Sequence, residues 1–260
     1  MKKSHSITVN KAIILAAGKG TRLAPLTSVL PKEMFPVIDT PVIHHVLEEV
    51  IDGGVKEIVI VLSRGKEMIR TYIERSMAHL TQGVQVHYVY QSPHQYGNGA
   101  GLYAARKFIK EEPFIVAFGD SFASRKAGRF AHMNKLYGSV QMPVISLMAV
   151  EKKFAHIYGM AVIATRSKRS MTLDRLWEKP GNKMKPPYFA APNGYILDQH
   201  IFEYLKNGEL DERGELQLTD AINKYPDLCG QIFDAPFFEC GNREDYARAV
   251  IQMAKIRKLL

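Results

Sequence analysis

Cysteine is scarce: the 260 residues contain two, Cys229 and Cys240, which excludes a disulfide framework. Neither stands at zinc-ligand spacing from a histidine. Long apolar runs are missing as well. The longest are of strand length, well short of the ~20 residues that cross a bilayer, so no membrane partner is expected. Met1 to Asn10 carries two lysines but no apolar stretch, so it reads as a disordered tail rather than a secretory leader. A cytoplasmic location is the expectation. No linker, repeat or low-complexity tract interrupts the chain. What is present is ordinary globular usage, 46% hydrophobic and 23% charged, which excludes a disordered chain. A chain of this length buries a full core, and residues 1–260 read as one domain.

Acidic residues are in deficit. There are 26 Asp and Glu against 35 Lys and Arg, a net charge of +9. The deficit is local: Ser121 to Lys185 holds thirteen Lys and Arg, including Lys168 and Arg169, against Glu151, Asp174 and Glu178. The rest of the chain is close to neutral. An anionic partner is one reading of the excess, and a solvated basic face is the other. No stacking platform or nucleic-acid motif accompanies the cations, so no nucleic-acid partner is expected.

The first half alternates strand and helix patterns. Ala12–Ala17, Glu57–Leu62, Val84–Tyr90 and Phe114–Phe118 are apolar runs of strand length. Thr40-Pro41 opens a helix with Thr as N-cap and Pro at the first turn. Val42, Ile43, Val46, Leu47, Val50 and Ile51 fall on one face of it, and Gly53-Gly54 closes it. Ala100–Ile109 is a further helix. Such alternation predicts parallel strands with helical crossovers. The second half is richer in strand: Val144–Val150, Met160–Ala164, Leu173–Trp177 and Tyr195–Leu197. Helices are expected at Gln199–Lys206, Leu218–Lys224 and Arg243–Lys258, the last closing the domain at 243–260. The fold class is α/β with a mixed, mostly parallel sheet. In the C-terminal helix, Ala247, Val250, Ile251 and Ala254 pack either within or between subunits.

The first strand runs into Gly18-Lys-Gly-Thr-Arg22. Glycines there permit close backbone approach, and successive N–H groups form a concavity for phosphate oxygens. Lys19 and Arg22 add charge. The pattern is neither a Walker A loop nor the dinucleotide fingerprint, since Leu23 follows Arg22 and no third glycine appears. Downstream, Pro31-Lys-Glu-Met-Phe-Pro36 holds Lys32 between prolines that limit its backbone freedom.

These segments resemble, in order, the motifs of bacterial nucleotidylyltransferases of sugar 1-phosphates, and within them the uridylyltransferase branch. The match takes in Gly18–Arg22, Pro31–Val37 and the helix after Pro41. It continues through Gln91, Gly97-Asn-Gly99, Phe118-Gly-Asp120, Tyr158-Gly159 and Trp177-Glu-Lys-Pro180. It ends with Glu215-Leu-Gln-Leu-Thr-Asp-Ala-Ile222 and Glu239-Cys-Gly-Asn242. The resemblance implies a three-layer, Rossmann-like nucleotidyltransferase domain. It implies nucleoside triphosphate and sugar 1-phosphate as ligands, Mg²⁺ as cofactor and a homo-oligomer, dimer or tetramer. It also assigns roles. Ala16, Ala17, Gly18, Lys19, Gly20 and Thr21 would cradle the triphosphate, with Arg22 and Lys32 as catalytic cations. Asp120 and Glu239 would hold the metal, Glu239 standing where the family has Asp. Gln91 and the backbone at Gly97 would read the base. Gly159, Glu178, Lys179, Asn193 and Gly194 would bind the sugar phosphate, with Lys179 on the phosphate. Known uridylyltransferases carry Leu and His where this chain has Asn98 and Ala100. Asp220, at a helix start with Thr219 as a candidate N-cap, reads either as structural or as supporting the site residues from behind. The implied activity is nucleotidyl transfer, most simply UMP from UTP onto glucose 1-phosphate. A thymidylyltransferase or a catalytically weak nucleotide-sugar-binding relative is the alternative.

Overall fold

The computed structural model describes residues 8–166 and 171–260; Lys168 and Arg169, counted above, lie outside them. In the first half, β1 (Lys11–Leu15), β2 (Pro36–Val37), β3 (Thr40–Pro41), α1 (Val42–Asp52) and β4 (Glu57–Leu62) follow in turn. Next come α2 (Glu67–Ser76), β5 (Gln85–Tyr90), α3 (Asn98–Ala104), β6 (Phe114–Phe118), β7 (Ser121–Ala123) and α4 (Arg129–Val140). The second half runs β8 (Val144–Ala149), β9 (Met160–Arg166), β10 (Met171–Trp177), β11 (Phe189–Ala190), β12 (Gly194–Leu197) and α5 (His200–Lys206). It closes with α6 (Leu218–Ile222), β13 (Leu228–Ile232), β14 (Phe237–Glu239) and α7 (Arg243–Ile256).

Ten strands form one sheet in the order β11-β9-β10-β13-β8-β12-β6-β1-β4-β5. Strands β6, β1, β4 and β5 pair in parallel, and so do β8 and β13. The antiparallel share exceeds the expectation. Strand β12 runs antiparallel to both β6 and β8, and β9, β10 and β11 pair antiparallel too. The central strands are buried on both faces, which is why they read as continuous apolar runs. Ala12, Ile14, Ile58, Ile60, Ile115 and Ala117 point to one face, where α1, α2, α4 and α7 pack. Ile13, Leu15, Val59, Val61, Phe114 and Val116 point to the other, under α3, α5 and α6. Three layers result. Among the described residues no helix is long and apolar enough to cross a membrane.

Several boundaries differ from expectation. Thr40 does not cap α1: its hydroxyl donates to Asp39 Oδ1 at 2.8 Å, and Thr40-Pro41 pairs with β2 before the helix opens at Val42. Gly54 takes the left-handed turn (φ 92°); Gly53 is right-handed and is needed as glycine for space, since a Cβ there would stand 2.8 Å from Phe130 Cβ. Helix α3 begins at Asn98 and stops at Ala104, followed by a tight turn over Arg106–Phe108. Helix α6 stops at Ile222, and its cap position is Gln217 rather than Thr219. Residues 1–7 of the expected tail lie outside the described residues, and Val9 is not part of a disordered tail: it is buried and its N–H and C=O both pair with the Asn134 side chain. On α7, Ala249 and Ala254 face inward, whereas Ala247 and Ile251 are exposed.

Candidate active site

The carboxyl ends of β1 and β6 open into a cleft of about 1130 Å³. This is where open α/β sheets bind ligands. After β1 the chain turns through Gly20 in the left-handed region (φ 69°), where a Cβ would meet Thr27 Cγ2 at 2.9 Å. Thr27 Oγ1 donates to Gly20 O at 2.8 Å and pins the turn. The N–H groups of Ala17, Gly18, Lys19 and Gly20 donate to nothing among the described residues. Ala17 through Arg22 and Lys32 line the cleft, and Lys19 Nζ sits 4.0 Å from the Tyr96 ring centre. Ala16 does not line it. It is buried, and its carbonyl accepts a hydrogen bond from Lys66 Nζ at 2.8 Å.

Lys66 and Glu33 were not singled out in the sequence. Lys66 Nζ bonds both Glu33 carboxylate oxygens at 2.9 and 2.8 Å and also the Gly18 carbonyl at 2.6 Å. Both residues are buried. This pair ties the glycine loop to the segment carrying Lys32. Partners 33 residues apart leave no local pattern to read.

Asp120 follows β6 and forms an ion pair with Lys32. The β7–β14 ribbon sets Glu239 opposite Ser121, and the Cys240 N–H donates to Asp120 O at 2.9 Å. Phe122 and Phe238 stack beneath, ring centres 4.8 Å apart. A Cβ on Gly241 would lie 3.3 Å from Asp120 Oδ2 and 3.7 Å from Glu239 Oε1, so the two carboxylates converge beside that glycine. Burial would raise the Asp120 pKa, but the Lys32 ammonium holds it below the usual carboxylate range. Burial, with the charges of Asp120 and Asp245 nearby, pushes the Glu239 carboxyl up to about 7. Among the described residues no three His, Cys, Asp or Glu cluster to hold a metal. A carboxylate pair with excess negative charge suits a Mg²⁺-type ion, which takes one or two carboxylates and completes its shell with water and substrate phosphate.

The opposite wall comes from the second half of the chain. Beyond the end of β10, Lys179 adopts a left-handed conformation (φ 42°), so Glu178 and Lys179 both line the cleft instead of pointing to opposite faces. Glu178 Oε2 would lie 3.0 Å from a Cβ on Gly159, which therefore leaves room for that carboxylate. Asn193 also lines the cleft and lies 3.4 Å from Ser121 Oγ through its side-chain amide. Gly194 does not. A Cβ there would stand 2.9 Å from Arg129, so this glycine makes room for a buried guanidinium rather than for a sugar. Asp220 is exposed on α6 and outside the cleft, while Thr219 and Gln217 line it.

The remaining wall carries Gln91 and Gly97. Gln91 Nε2 donates to the Gln95 carbonyl at 2.6 Å, fixing the loop before Gly97. Gly97 is left-handed (φ 98°), and a Cβ on it would stand 2.4 Å from Leu216 O, so no other residue fits. Asn98 Oδ1 accepts the Leu218 N–H at 2.8 Å, which joins α3 to the start of α6.

The sequence profile of the nucleotidyl transferase family matches residues 11–238. The chain belongs to the nucleotidyl transferase family. Relatives and solved structures agree. The UTP–glucose-1-phosphate uridylyltransferase of Bacillus subtilis (strain 168) is 29% identical over 95% of this chain and 91% of its own. A second protein of that organism, provisionally named as the same activity, is 33% identical over 96% and 98%. A UDP-glucose pyrophosphorylase solved with UDP-glucose superposes with a TM-score of 0.84 at 26% identity, over 95% of this chain and 99% of that one. A UTP-bound enzyme of the same kind from Acinetobacter baumannii gives 0.83 at 26% identity, over 95% and 93%. In this nucleotidyl transferase the cleft brings together every sequence-predicted site residue except Ala16 and Gly194. Of the basic segment's described Lys and Arg, Lys179 alone reaches the cleft.

Proposed function

We propose that the protein transfers the uridylyl group of UTP to glucose 1-phosphate, forming UDP-glucose and releasing pyrophosphate. The observation that carries this reading is that a cationic phosphate-type loop faces a Glu–Lys pair across one cleft. Unpaired loop amides with Arg22 and Lys32 stand on one side, and Glu178 with Lys179 on the other. The uridylyltransferase and UDP-glucose pyrophosphorylase relatives support the choice of substrates.

A phosphate oxygen of the sugar 1-phosphate attacks the α-phosphorus. The bond to the bridging oxygen of the β-phosphate breaks, and pyrophosphate leaves with that electron pair. Both reactants are polyanions. At ~4 Å two unit charges repel by ~4 kcal/mol at an effective dielectric near 20, so alignment and charge cancellation are the main task. Loop amides and Arg22 hold the β- and γ-phosphates. Lys32 exchanges its Asp120 partner for the α-phosphate. Lys179 draws in the sugar phosphate, and Glu178 accepts from sugar hydroxyls. The Gly97 N–H, unpaired among the described residues, and the Gln91 side chain read the uracil edge. Asp120 and Glu239 would hold Mg²⁺, which supplies positive charge at the reacting phosphate oxygens.

Pyrophosphate release with UTP, glucose 1-phosphate and Mg²⁺ tests the proposal. Lys32→Met should lower kcat by about 10²–10³-fold, as for loss of a charge-stabilising donor. Absence of release with UTP, dTTP, CTP or ATP across several sugar phosphates would sink the reading. One observation favours a catalytically weak nucleotide-sugar binder instead: Glu239 is a methylene longer than the Asp of the family motif. If so, Glu239→Asp raises turnover at least about tenfold, since Mg²⁺ tolerates little misplacement at ~2.1 Å.

A further inference from the structure

Lys66 lies behind the glycine loop, outside the roles described above. It occupies the turn between β4 and α2, after Gly65 in a left-handed conformation (φ 89°), and its side chain is 9% exposed. Its ammonium donates at once to the Ala16 carbonyl (2.8 Å), the Gly18 carbonyl (2.6 Å) and the Glu33 carboxylate. A trans peptide is planar, so a carbonyl and the next residue's N–H point in opposite directions. Drawing the Ala16 and Gly18 carbonyls back onto Lys66 therefore turns the Ala17 and Lys19 N–H groups away from it. Those two N–H groups donate to nothing among the described residues, and both residues line the cleft.

We propose that Lys66 is a positioning residue of the phosphate loop: it holds two carbonyls out of the cleft and so aims the Ala17 and Lys19 amides at the triphosphate. Without it, either peptide can flip and present a carbonyl oxygen to a phosphate. Glu33 keeps the ammonium in place and satisfies its charge. The inference rests on reading the cleft as a triphosphate site.

The test separates loop positioning from simple support of the fold. Lys66→Met alone strands the Glu33 carboxylate in the interior and destabilises the protein. The informative comparison is therefore between Glu33→Gln and the double variant Lys66→Met/Glu33→Gln. Thermal melting reports the fold, and calorimetry reports binding of UTP and of inorganic tripolyphosphate, which lacks the base. The double variant should melt within a few degrees of Glu33→Gln yet bind both ligands at least about tenfold more weakly, the loss of one or two charge-assisted contacts. Affinities within threefold of Glu33→Gln for both ligands would overturn the proposal. If the double variant does not fold, Lys66→Gln/Glu33→Gln, which keeps a side-chain N–H donor for only part of the two-carbonyl contact, replaces it and should bind both ligands at least about threefold more weakly than Glu33→Gln; equal affinity counts against the proposal. Wild-type binding of tripolyphosphate without UTP binding would refute the choice of nucleotide and leave the Lys66 comparison intact. Binding of neither would overturn the positioning role itself.

Discussion

Glu239 is held where its charge state responds to pH near neutrality. Burial and the neighbouring Asp120 and Asp245 charges place its carboxyl at about 7. A carboxyl with a folded value above its unfolded one favours the fold at low pH, and that contribution is lost as pH rises through the folded value. A bound divalent cation reverses the preference, because it favours the ionised form. The Mg²⁺-induced rise in Tm should therefore be larger at pH 8 than at pH 6, and nearly flat over that interval in Glu239→Gln. Scanning fluorimetry at the two pH values reads it out, and equal shifts in the wild type would remove Glu239 from the metal site. The candidate residues were legible to different degrees at this scale. Lys32, Asp120 and Glu178 sit in short contiguous motifs. Lys66 looks like a solvated lysine after a turn, and only its distant partners Glu33 and Ala16 make it otherwise. Gly194 reads like a ligand-side glycine until Arg129 is seen against it.

Elements meet at Asn98. Helix α6 lacks a side-chain cap of its own, and Asn98 Oδ1 supplies one from 120 residues away. Asn98→Leu, the residue type of the uridylyltransferases, should cost about 1 kcal/mol, as loss of a cap does. For a chain of this size that is a fall in Tm of about 2–4 °C, measurable by calorimetry. An unchanged Tm would mean that the Leu218 N–H finds another acceptor. The parallel half of the sheet was legible because β1, β4 and β6 are buried on both faces and carry unbroken apolar runs. The antiparallel half was blurred, since β11 and β12 are short and β10 shifts register against β9 near Leu173. Helix α3 starts two residues before the expected Ala100, where the Gly99 N–H bonds the Leu216 carbonyl, while α6 starts at Leu218 as expected.

Across the whole molecule, Arg129 is the tie between the two halves. It is buried, bonded to Glu49 of α1 at 2.7 and 2.9 Å, and donates to the Pro192 carbonyl at 3.1 Å just before Asn193. Glu49 also accepts the N–H of Ala123, in the β7–β14 ribbon, at 3.1 Å. Arg129→Met should destabilise the protein by about 3–5 kcal/mol, because it leaves a buried carboxylate alone; Arg129→Met/Glu49→Met should recover most of that. Urea titration decides it, and a double variant no better than the single would show that the guanidinium matters through Pro192 instead. The basic surplus looks different in this light. Arg129 serves the interior, and Arg125 is engaged by Asp52 and Glu48. Net charge reports the surplus without saying which cations are already spent. The wedging of β12 between β6 and β8 has a consequence for how such an enzyme can diversify. The residues proposed to read the base, Gln91 and Gly97, come from the chain before α4, and those proposed to bind the sugar phosphate, Gly159, Glu178, Lys179 and Asn193, from the chain after it. A chimera joined between α4 and β8 should inherit nucleotide choice from one parent and sugar choice from the other. The two parents must be matched where contacts cross the junction: the β7–β14 ribbon beside Asp120 and Glu239, the β6–β12 pairing, Arg129 on the Pro192 carbonyl and Asn98 on the Leu218 N–H.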